Sequence, residues 1–86
     1  MAKLYGIHIL TQEKTVFKGE ISSLVVPAEL GFLGVLADHA PLVAMLKPGK
    51  ITLKSGAQSP VEIQSAGAGF LEVRKNNVTI LLDSVA

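Results

Sequence analysis

The chain has 86 residues, eight Lys and Arg against seven Asp and Glu, a formal net charge of +1 and no cysteine. One domain, residues 1–86, fits that length, with no room for a second core. The missing cysteines remove disulfide, thiolate-metal and thiol-nucleophile chemistry, and the dispersed basic residues offer no stripe to neutralise a nucleic-acid backbone.

From the amino terminus, Met1 to His8 is neither a signal peptide nor an Arg-rich transit sequence. No apolar run approaches the roughly 20 residues needed to span a bilayer. The expectation is a soluble intracellular protein that meets a membrane only through a partner, without inserting directly. Strand-type alternation then begins. Ile7 and Ile9 flank His8. From Phe17 to Val25 the odd positions carry Phe17, Ile21 and Val25, while Lys18, Glu20 and Ser22 point the other way. Ile51 and Leu53, Val61 and Ile63, and Leu71 and Val73 each alternate with polar residues. Val78 and Ile80 alternate with Thr79, but Leu81 breaks the polar face, so that strand reads as covered on both sides.

Turn signals separate these runs at Gln12-Glu13-Lys14, Pro48-Gly49, Ser55-Gly56, Ser59-Pro60 and Asn76-Asn77, the last reading as a two-residue hairpin turn because Asn tolerates positive φ. Short strands about 8–12 residues apart, with no helical periodicity, predict an all-β sandwich or barrel. Ala66-Gly67-Ala68-Gly69-Phe70 lacks the lysine and following helix of a phosphate loop, and reads as a tight backbone approach.

Nearly half of the residues, 49%, are hydrophobic and mean hydropathy is +0.47. A domain this small buries only about 60–65% of its unfolded surface, so composition leaves two readings open: a well-filled core, or an apolar partner face. No catalytic, metal or cofactor site emerges. Asp38-His39 pairs an acid with an imidazole, but adjacent residues on an extended chain point apart, and no nucleophile can be named. His8 and His39 are too few and too distant for a zinc motif, and the acids are scattered singly.

The most unusual stretch runs from Val25 to Leu42: a strand, a glycine-punctuated loop with Leu30, Phe32 and Leu33 near its tip, a short second strand, and a turn set by Ala40-Pro41. Gly31 and Gly34 read as permitting backbone angles closed to other residues, and Pro41 biases Ala40 toward extended geometry. An apolar loop tip points to a partner.

Gly31-Phe32-Leu33-Gly34-Val35, followed by His39-Ala40-Pro41-Leu42 and by Leu46-Lys47-Pro48-Gly49, resembles the signature of F-type ATP synthase epsilon subunits. Phe17-Lys18-Gly19, Gly69 to Val73 and Asn77 to Leu81 match in register, so the resemblance covers the whole chain. It implies a flattened antiparallel β-sandwich of about ten short strands. It also implies a non-catalytic central-stalk (rotor) subunit of a proton-translocating enzyme, at the cytoplasmic face of the bacterial inner membrane. Its partners would be the gamma subunit and the c-ring, with the catalytic head reached indirectly. On the c-ring side the resemblance places Glu29, Leu30, Gly31, Phe32 and Leu33. On the gamma side it places Thr11, His39 and Ala44, while Gly34, Ala40, Pro41, Pro48 and Gly49 would shape turns. Phe32 stands where many members carry a glutamate, which implies an apolar or cation-contacting c-ring surface. His39 reads equally as an interface residue or as one satisfying local backbone groups. The family's carboxy-terminal helical hairpin has no counterpart in these residues. Readings from other classes are a free-standing binding module, with the Gly31-to-Leu42 loop around a small ligand, and a small hydrolase using Asp38 and His39.

Overall fold

A computed structural model of the chain describes residues 3–86. Among them are nine strands and no helix: β1 Tyr5–Leu10, β2 Thr15–Ile21, β3 Ser23–Ala28, β4 Gly31–Leu36, β5 Leu42–Leu46, β6 Gly49–Lys54, β7 Val61–Ser65, β8 Gly69–Arg74 and β9 Asn77–Leu82. Alternation drives them, since inward residues at every second position pool into one core. That core joins Ile7 and Ile9 of β1, Leu24 and Val26 of β3, Ile51 and Leu53 of β6, Leu71 and Val73 of β8, and Val78, Ile80 and Leu82 of β9.

Hydrogen bonding links the strands in the order β2-β1-β9-β8-β5-β3-β6-β7, with β4 on the free edge of β3. Neighbours are antiparallel except β1 and β9, which run parallel. The sheet curls into two layers at β3. Ser23, Leu24 and Val25 pair with β6, whereas Ala28 pairs with Leu46 of β5. Pro27 sits at this exchange, where its missing N–H forfeits no ladder bond, and its carbonyl accepts from the Lys47 amide at 2.9 Å.

The tenth strand of the expected sandwich is reduced to a bridge between Ser65 and Val85, reinforced by the Ala86 amide donating to the Gln64 carbonyl at 2.9 Å.

Three local expectations need correction. Phe17 to Val25 is not one strand: at Ser22 the chain turns a corner and the parity of burial flips. Leu24 and Val26 therefore face the core and Val25 faces outward. Ser22 makes that corner, its hydroxyl donating to the Lys54 carbonyl at 3.0 Å and accepting from the Gly56 amide at 2.9 Å. The β8–β9 turn is Lys75-Asn76, one residue earlier than predicted, because Arg74 pairs with Asn77 and Asn76 takes φ 51°. Leu81 is not covered on its outer side; it is exposed.

Glycine placement explains one further segment. A Cβ on Gly69 would lie 2.5 Å from the Leu81 carbonyl oxygen, and one on Gly67 would lie 2.9 Å from the Asp83 Cβ. The small residues between β7 and β8 thus allow the close approach expected of them.

Candidate docking surfaces

The β3–β4 hairpin closes through Glu29-Leu30, with Ala28 paired to Gly31. Gly31 adopts φ 131°, open to glycine and strained for other residues. The Glu29 amide donates to the Met45 carbonyl at 3.1 Å, which ties the hairpin tip to β5. Leu30 is fully exposed, and Phe32 is 72% exposed on the outer side of β4, while Leu33 turns inward against the core. Of the loop residues expected at a partner surface, Glu29, Leu30 and Phe32 present side chains outward, and Leu33 does not.

A shallow groove of about 400 Å³ separates this tip from β5, between Glu29 to Leu33 on one side and Leu42 to Met45 on the other. Val43 and Met45 project from β5, with Phe70 beside Met45 and Leu81 beside Phe70. Together they form an apolar band. Alternation along β5 signals Val43 and Met45, and Leu81 stood out as irregular, but only the strand order places them side by side.

Thr11, His39 and Ala44 do not form one patch. Ala44 pairs with Leu71 and packs against the core. Thr11 is buried at the end of β1, where its hydroxyl accepts from the Glu13 and Lys14 amides, both at 3.3 Å. His39 lies toward the opposite end of the sheet, just beyond the β4–β5 turn. Its Nδ1 donates to the Ala40 carbonyl at 2.8 Å, an acceptor that fixes the proton on that nitrogen. The backbone-satisfying reading of His39 therefore describes its contact.

Among the expected turn residues, Ala40, Pro41 and Pro48 lie between strands and Gly49 opens β6 at φ 156°. Gly34 is a correction: it lies within β4 opposite Val25, with no left-handed φ.

Beside His39 the two turns of that end are locked together. Among the described residues, Asp38 and Asn76 are the non-glycine residues with positive φ, at 62° and 51°. The Asp38 amide donates to Asn76 Oδ1 at 2.9 Å, and Asn76 Nδ2 returns a bond to Asp38 Oδ1 at 3.1 Å. Lys3 Nζ completes the cluster at 3.0 and 3.1 Å from the carboxylate oxygens. The hydrogen bond from Lys3, then that from Asn76, holds the Asp38 carboxyl below its usual range. A depressed carboxyl stabilises the fold above its unfolded value, near pH 4, and loses that contribution as pH falls through the lower folded value. Asp38→Asn should accordingly have a lower melting temperature than wild type at pH 7, with the gap narrowing below about pH 4. Thermal unfolding at pH 7 and at acid pH checks this; a gap that persists in acid would assign the loss to geometry rather than charge.

The fold is that of a small β-sandwich domain with one core, an exposed apolar tip and an apolar outer band. The chain is a member of the ATP synthase delta/epsilon chain β-sandwich domain family, whose model matches residues 5–86. It is 43% identical to the ATP synthase epsilon chain of Leptospira borgpetersenii, over 91% of this chain and 60% of that protein. It is 38% identical to that of Dichelobacter nodosus, over 100% of this chain and 59% of that protein. The chain thus spans about three fifths of the length of these relatives. In fold it is similar to a chain in the Euglena gracilis mitochondrial ATP synthase (OSCP, F1 and c-ring), with TM-score 0.85 and 20% identity over 93% of this chain and 51% of that one. A second likeness, TM-score 0.80 at 12% identity over 94% of this chain and 64% of that one, is to the central stalk and c-ring of the Tetrahymena thermophila enzyme.

Proposed function

We propose that this chain is the β-sandwich part of a non-catalytic central-stalk (rotor) subunit of a proton-translocating F-type ATP synthase, linking the gamma subunit to the c-ring and supporting the coupling of ion flow to ATP synthesis. The observation that carries the reading is the family match across residues 5–86. A two-layer sandwich closed on one packed core suits the role, because close packing transmits load as a unit.

In this reading Glu29, Leu30 and Phe32 meet the c-ring, with Gly31 setting the hairpin and Leu33 anchoring it. The gamma side involves the segments that carry Thr11, His39 and Ala44. Because Ala44 faces inward, contact on β5 runs through its neighbours, Val43 and Met45. Among the described residues no helix is long and apolar enough to cross a membrane. The protein would sit peripherally at the cytoplasmic face of the bacterial inner membrane, held there by the complex and contacting the catalytic head only indirectly. No cofactor is required for this role.

The test is titration of the purified gamma subunit with this chain, followed by co-elution. Saturable one-to-one binding is expected. A folded chain that fails to co-elute with gamma at any ratio would overturn the stalk assignment.

A further inference from the structure

The outer face of β2, β1, β9 and β8 carries a groove of about 690 Å³, separate from the hairpin tip. Strand register sets its layout. Glu20, Gly6, Asn77 and Arg74 lie in one cross-strand row, and Lys18, His8, Thr79 and Glu72 lie in the next. The middle positions are short or flat, and the long charged side chains form the two walls: Lys18 and Glu20 on β2, Glu72 and Arg74 on β8. Signs alternate diagonally, with positive charge at Lys18 and Arg74 and negative charge at Glu20 and Glu72. Among the described residues the ion pairs are Lys3–Asp38 and Lys50–Glu62, so these four have no partner within the described chain.

Such a pattern is complementary to itself. A two-fold axis parallel to the strands, between β1 and β9, sets Lys18 over Glu72 of a second copy and Glu20 over Arg74, and each pair recurs by symmetry. The same rotation lays Leu10 on the second copy's Leu81 in the third row, where Phe70 also lies. Both the charges and the apolar row therefore match under one operation. We infer that this face is a self-association surface, pairing two copies of the chain through a symmetric, sheet-on-sheet contact. Four strands about 4.8 Å apart and three rows of side chains cover roughly 300 Å² in projection, well short of the roughly 800 Å² per partner of a stable complex. The dimer is therefore weak and salt-sensitive, a state of the free chain that shields Leu81 and Phe70 and yields to any tighter partner.

Sedimentation equilibrium of the 86-residue chain at low and high salt tests this, with four samples: wild type, Lys18→Glu, Glu72→Lys, and an equimolar mixture of the two variants. Circular dichroism confirms that each is folded, as expected for an exposed Lys18 and a half-buried Glu72 on the outer face. Wild type should dimerise with a micromolar or weaker constant, and each single variant should weaken association at least about tenfold by setting like charges together. The mixture should regain it. One variant then carries acids at both positions of the pair and the other carries amines at both, so every cross-copy contact joins opposite charges. A wild-type chain that stays monomeric, variants that dimerise like wild type, or a mixture that stays monomeric would each overturn the assignment.

Discussion

Gly69→Val should cost the domain at least about 3–4 kcal/mol, enough to leave a chain of this size largely unfolded. Gly69 pairs with Leu82 at the start of β8, and an added Cβ would meet the Leu81 carbonyl oxygen at 2.5 Å, Leu82 Cδ2 at 2.9 Å and Leu82 Cα at 3.2 Å. Two of these three atoms are backbone and cannot rotate away. Moving β9 would drag Ile80 and Leu82, both buried, out of the core. Even Gly69→Ala should be strongly destabilising, because the clash is with Cβ itself. Gly34→Ala is the control. The nearest atom to its Cβ would be 4.0 Å away and its φ is ordinary, so its stability should change by less than about 0.5 kcal/mol. Urea unfolding of the three variants checks the contrast. A Gly69→Val protein within about 1 kcal/mol of wild type would show that β8 and β9 do not pair in this register.

Phe32→Asp should leave stability almost unchanged and weaken docking to the assembled stalk and c-ring by about 30-fold or more, the scale of an aromatic hot spot worth about 2 kcal/mol. Phe32 is 72% exposed and sits two residues from the fully exposed Leu30. Its ring adds little to the core, while a charge at that position must be dehydrated when a partner covers it. Melting temperature should therefore match wild type, and the loss should appear only in binding to purified complexes that lack the subunit. Unaltered binding would remove the hairpin tip from the c-ring contact and leave the rest of the fold assignment standing.

Most of the strands were legible in the residues, because alternation is a local property; β5 was not read as a strand, and Phe32 and Leu33, read as part of a loop, lie on β4. Ile7 with Ile9, Ile51 with Leu53, and Leu71 with Val73 all face inward as their spacing requires. The corner at Ser22 was not legible, since nothing local marks a flip of parity: the hydroxyl that makes it bonds Lys54 and Gly56, more than thirty residues away. The shift of the hairpin turn from Asn76-Asn77 to Lys75-Asn76 has the same origin. Both asparagines tolerate positive φ, and the choice falls on the one whose side chain reaches Asp38.

For the docking surfaces, the sequence by itself determined the apolar hairpin tip and the family, through ordered motifs spanning most of the chain. It also determined that Leu81 was out of place on a polar face. Only the tertiary structure decided that Leu81 lies beside Phe70 and Phe70 beside Met45, and that Lys18 and Glu72 stand on opposite walls of one groove. It alone turned Thr11 and Ala44 inward. Side-chain direction along a strand repeats every two residues and can be read locally. Which strands become neighbours depends on hydrogen bonds between distant segments, and in a sheet ordered β2-β1-β9-β8-β5-β3-β6-β7 the pairs β1-β9, β8-β5, β5-β3 and β3-β6 are not consecutive in the chain.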